Sequence, residues 1–66
     1  MTTGQRIKSA RKAAKMTQAQ LAEKLGVPFQ SISQWERDIR NPKSETIQRI
    51  AAAIGCNPAE LSQPAR

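Results

Sequence analysis

The four residues Leu25-Gly26-Val27-Pro28 constrain this chain more than any other stretch. Before them, "TQAQLAEKL" sets Leu21, Ala22 and Leu25 at helical spacing. After them, "FQSISQWERDI" sets Ile32, Trp35 and Ile39 at i, i+3 and i+7. Gly26 suits the left-handed position that closes a helix. Pro28 suits the first turn of the next helix, where its missing N–H has no helical partner to lose. Two short helices therefore follow each other with only Gly26 and Val27 between them.

The same punctuation organises the rest. A first helix is expected from Thr3 to Lys15, with Ile7, Ala10, Arg11 and Ala14 on one stripe. The second opens at Thr17, whose hydroxyl and the Gln20 side chain form a Thr-x-x-Gln capping box. The third runs from Pro28 to Asp38. "RNPKS" reads as a loop with Ser44 as the next cap. The fourth helix carries Ile47, Ile50, Ala51 and Ile54 and closes at Gly55. A last turn starts at Asn57, with Pro58, Glu60 and the buried contact of Leu61. The expectation is an all-α bundle of about five short helices forming a single domain over 1–66. Its ordered core is expected over about 4–62, with 63–66 frayed. Met16, Leu21, Val27, Ile32, Trp35, Ile39, Ile47, Ile50, Ile54 and Leu61 are expected to converge in one core.

A chain of 66 residues buries only about 60% of the surface that its unfolded form exposes. Disulfides or a metal often compensate in such small domains. Here Cys56 is the only cysteine and there is no histidine, so no metal and no cofactor is expected. A lone thiol, read as a half-buried small residue, fits a reducing cytoplasm. No apolar run approaches the ~20 residues of a membrane span, and the N-terminus lacks the apolar region of a secretory signal. Eleven Lys and Arg stand against five Asp and Glu, a net charge of +6. Arg6, Lys8, Arg11, Lys12 and Lys15 all precede the first acid, Glu23. A second group, Arg37, Arg40 and Lys43, lies at and just past the end of the third helix. This balance favours nucleic acid as partner over an anionic membrane surface.

Opposite the apolar face of the third helix lie Gln30, Ser33, Gln34 and Arg37. A solvated face in so charged a chain would be mostly Lys and Glu. Gln and Ser are suited instead to directional hydrogen bonds. The pair of helices around the Gly26 turn is a helix-turn-helix. The stretch "TQAQLAEKLGVPFQSISQWERDIRNPKSETIQRIAAAIG", with "GQRIKSARKAAKM" before it, resembles the phage repressor and Cro-type helix-turn-helix domains of bacterial transcription regulators (lambda repressor-like, XRE-type). The resemblance covers about residues 4 to 61. It combines Gln at the start of helix two, Leu-Ala before the turn, Ile-Ser-x-Trp-Glu in helix three, Asn-Pro, and an Ile-rich helix four.

The resemblance implies that helix three lies in the DNA major groove, with Phe29, Gln30, Ser33 and Gln34 toward base edges. The chemistry agrees: Gln can pair with adenine N6 and N7, and Ser can serve donors or acceptors. Phe29 departs from the polar residue of many family members. It can touch a thymine methyl or pack at the helix start. Gln18, Arg37, Arg40, Asn41 and Lys43 are the expected phosphate contacts, Gln18 with the free N–H groups that open helix two. Arg11 and Glu36 both lie on core-facing stripes, where an unpaired charge would be expensive. The resemblance pairs them as a structural ion pair.

The expected function is sequence-specific double-stranded DNA binding by a transcriptional regulator, most often a repressor in this family, on an imperfect palindromic operator. A weak homodimer forming on DNA is the expected state. The alternatives are an antitoxin, or an interaction module that uses the same fold to bind a protein partner. An enzyme is not expected, since no His, no Tyr and no paired acids are there to build a catalytic site.

Overall fold

The computed structural model describes residues 2–61. The tail expected to fray, 63–66, lies outside them. Five helices follow in order: α1 Thr3–Ala13, α2 Gln18–Leu25, α3 Phe29–Glu36, α4 Ser44–Ile54 and α5 Pro58–Leu61. There is no strand among the described residues. α2 packs on α3 and α4, while α1 lies across α3, α5 and α4.

Each helix contributes one fully buried large side chain: Ile7, Leu21, Ile32, Ile50 and Leu61. Burying such a side chain contributes roughly 1.5–3 kcal/mol. Ala22, Leu25, Ile47 and Ala51 complete the buried core, and Met16, Val27, Trp35, Ile54 and Cys56 pack against it half-buried.

α1, α2, α3 and α4 end alike. A left-handed residue follows each: Lys15 at φ 59°, Gly26 at 71°, Asp38 at 60° and Gly55 at 92°. The next N–H then returns to a carbonyl of the last turn, Met16 to Arg11, Val27 to Ala22, Ile39 to Gln34 and Cys56 to Ala51. This is the Schellman closure, in which glycine is the usual left-handed residue. The Arg49 guanidinium also donates to the Leu25 carbonyl at 2.8 Å, tying α4 to the end of α2.

These closures correct several expectations. α1 stops at Ala13 rather than Lys15, and Ala14 is exposed. α3 spans Phe29–Glu36 rather than Pro28 to Asp38, because Asp38 turns left-handed and Pro28, at ψ 150°, is the residue before the helix. Ile39 therefore leaves the helical register and is 58% exposed, outside the core. Ser44 lies inside α4, and Lys43 holds the cap position without a capping side chain.

Candidate nucleic-acid interface

α3 is held on its inner side by a hydrogen-bonded ion pair. The Glu36 Oε2 accepts from Arg11 Nε at 2.6 Å, and its Oε1 accepts from Arg11 Nη2 at 3.1 Å. Arg11 Nη1 donates to the Met16 carbonyl at 2.7 Å. Arg11 is 7% and Glu36 6% exposed. Buried charges are tolerated when paired and hydrogen-bonded in this way.

Gln18 joins the same cluster, its Nε2 donating to Glu36 Oε1 at 3.0 Å. The side chain expected at a phosphate is thus turned inward, half-buried, onto the α3 carboxylate of Glu36. What α2 offers outward at this end is main chain. Thr17 Oγ1 accepts from the Gln20 N–H at 3.0 Å and Gln20 Oε1 from the Thr17 N–H at 2.9 Å, closing the capping box. The Gln18 and Ala19 N–H groups belong to the first turn, where the helix itself offers no acceptor.

On the outer side, Phe29 is 53% exposed and Gln30 is exposed beside it. Phe29 does not pack into the core. Ser33 and Gln34 are half-buried on the next turn. Arg37 is exposed as the residue capping the C-terminal end of α3. Arg40, Asn41 and Lys43 line an open groove with Trp35, Pro42 and Thr46. That groove borders the start of α4, which no side chain caps. The Gln34 carbonyl accepts from both Ile39 N at 2.9 Å and Arg40 N at 3.3 Å. The polar strip and the basic loop are therefore adjacent, coupled through one peptide group.

α3 has a second attachment, at Gly4 and Asp38, for which the helical spacing gives no signal. Gly4 is buried, and a Cβ there would lie 2.3 Å from the Trp35 carbonyl and 2.9 Å from the Glu36 carbonyl. Only a glycine lets the first turn of α1 come so close to the end of α3. Asp38 then completes the contact. Its Oδ1 accepts from the Gly4 N–H at 3.1 Å and its Oδ2 from the Thr2 hydroxyl at 2.6 Å. Thr2 and Gln5 form a capping box identical in type to that of Thr17 and Gln20. "TTGQ" carried that signal in the same Thr-x-x-Gln form as "TQAQ". Cys56 is half-buried and takes no part in this surface. Burial, and then the Glu60 carboxylate, push its thiol above the usual range.

The sequence profile of the helix-turn-helix family matches residues 7–61. The chain belongs to the helix-turn-helix family. It is of the phage repressor and Cro type, and its relatives include phage repressors. It is 47% identical over 55 residues to the immunity repressor protein of Bacillus phage phi105, covering 83% of this chain and 38% of that protein. It is 40% identical over 58 residues to repressor protein C2 of Salmonella phage P22, covering 88% and 27%. The helix-turn-helix fold also superposes on the P22 c2 repressor solved in complex with synthetic operator 9T, with a TM-score of 0.86 and 36% identity over 96% of each chain. The chain thus spans less than half the length of these phage repressors. Among the described residues, no helix is long and apolar enough to cross a membrane.

Proposed function

We propose that this chain is the DNA-binding domain of a transcriptional regulator, acting as a repressor and reading an operator through the major groove with α3. The observation that carries this reading is the likeness, over nearly the whole fold, to a repressor solved on its operator. The surface chemistry supports it. Gln30, Ser33 and Gln34 read base edges, and Phe29, exposed rather than packed, lies against a thymine methyl. Arg37, Arg40, Asn41 and Lys43 hold phosphates, with the uncapped start of α4 and the first-turn N–H groups of α2 as main-chain donors.

One such module buries about 600–1,000 Å² on DNA, so a single copy binds weakly. Two copies related by a two-fold axis, meeting near Ile54, Cys56 and α5, read an imperfect palindrome with half-site centres roughly 34–36 Å apart. The protein acts in the cytoplasm and catalyses no reaction.

Selection of bound sequences from a random duplex pool tests the reading. Enrichment of an imperfect palindrome is expected, with affinity falling steeply as salt rises. A pool with no enriched sequence would move the assignment to a protein-binding module. Inserting about five base pairs between the half-sites turns one of them to the opposite face of the duplex. Cooperative binding should then vanish, and full affinity after the insertion would exclude the symmetric dimer.

A further inference from the structure

We propose that Asp38 is a positioning residue for DNA binding, holding the basic loop Arg40–Lys43 in place by tying its root to the first turn of α1. The inference rests on the reading of that loop as a phosphate grip.

Asp38 stands where the backbone asks for glycine. Its φ is 60°, in the left-handed region, although Asp is among the few residues that tolerate it. Here the side chain has work that glycine lacks. Its two oxygens take the Gly4 N–H and the Thr2 hydroxyl, 34 and 36 residues earlier in the chain. The Thr2 hydroxyl in turn accepts from the Gln5 N–H at 3.1 Å, so the anchor is continuous with the α1 capping box. Gly4 has no Cβ to hold the two helix ends apart. Immediately after Asp38, Ile39 and Arg40 bond back to Gln34, and Arg40, Asn41 and Lys43 are exposed. The loop is thus fixed at its root, and Asp38 ties that root to the first turn of α1, two residues beyond the Arg11–Glu36 pair that ties the end of α3 to the middle of α1.

Charge and position make opposite forecasts, which gives a test of sign. Asp38 is an exposed acid two residues from Arg40 in a chain of net charge +6. If it were only a surface charge, removing it would reduce repulsion from phosphates and tighten binding to any DNA. If it positions the loop, Asp38→Gly relieves the backbone yet loosens the grip. Binding to specific and random duplexes should then weaken together by about three- to tenfold, and the slope of log affinity against log salt should fall by about one contact. Discrimination between the two duplexes should stay unchanged.

Thr2→Val removes one donor of the anchor and leaves the charge as it was. It should weaken binding in the same direction by a smaller factor. Asp38→Asn keeps an acceptor and the left-handed tolerance, and should restore affinity to at least that of the parent. All measurements are made below the thermal midpoint of each variant, read by circular dichroism. Should Asp38→Gly fail to fold, Thr2→Val decides alone. Parent binding with equal or tighter binding by Asp38→Gly, or by Thr2→Val where that variant decides, overturns this inference alone. Failure of the parent to bind any duplex overturns the reading beneath it.

Discussion

The first four helices of this chain fall into two pairs by how their first turns are closed. α1 and α2 each begin with a complete Thr-x-x-Gln capping box, at Thr2 and Thr17. α3 and α4 begin at Pro28 and Lys43, with no side-chain cap at all. In the capped pair, local side chains claim two N–H groups at each start, those of Thr2 and Gln5 in α1 and of Thr17 and Gln20 in α2. The open pair leaves its N–H groups unclaimed by side chains, on the elements that carry the strip proposed to read bases and border the basic groove. A helix start that has no internal acceptor is available to an outside anion. In these four helices, side-chain capping is thus confined to α1 and α2, while the starts of α3 and α4 stay open.

The largest effect should come from the residue that bridges the two pairs. Glu36→Ala strands the Arg11 guanidinium and frees Gln18, so it should destabilise the fold by about 3–5 kcal/mol. A folded domain has a total stability of only about 5–15 kcal/mol, and one this small has little margin. An unchanged thermal midpoint would show that α3 does not depend on that pair. Next in size is the reading strip. Gln34→Ala should weaken the selected site by about 1–3 kcal/mol and leave random DNA nearly unaffected. An equal loss on both duplexes would remove Gln34 from the readers.

Within the capped pair, Thr17→Ala should lower stability by about 1 kcal/mol, with DNA discrimination retained by the folded fraction. A binding defect in fully folded protein would blur the division. The smallest effect is the sharpest. Lys43 already has extended cap geometry at φ −72° and ψ 164°. Lys43→Ser therefore installs a cap, raising stability by roughly 0.5–1 kcal/mol while reducing the salt slope of binding by about one. Opposite signs in melting and binding would be the mark of an end left open for DNA. Both moving the same way would count against it.

Legibility from sequence follows the same chemistry. The ends of α2 and α4 were readable because Gly26 and Gly55 announce a left-handed residue. Lys15 and Asp38 adopt that conformation without announcing it, so the spacing carries the C-terminal ends of α1 and α3 each two residues too far. The misplacement of Ile39 followed, since its core position assumed a helix that had already ended. The core itself was legible wherever apolar spacing stayed inside a helix, as with Ile32, Ile47 and Ile50. The contact of Asp38 with Thr2 and Gly4 was not, because hydrogen bonds across 34 and 36 positions leave no local pattern. Gln18 shows a subtler limit. Its place at the head of α2 was readable, but a rotamer turned toward Glu36 was not.

The bonds of Ile39 and Arg40 to Gln34 end on its carbonyl oxygen, not on its side chain. The side chain proposed to read a base therefore takes no part in placing the loop proposed to hold the backbone. Glu36 likewise draws its partners from α1 and α2, none of them from the exposed strip. On the proposed reading, side chains at 29, 30, 33 and 34 can then be exchanged for others while the proposed grip on the sugar-phosphate rail keeps its register. A new operator then becomes reachable by a few substitutions on one helix, without disturbing the ties of Glu36 to α1 and α2. Diverging regulators can in this way come to ignore one another's sites without any of them having to learn to fold again.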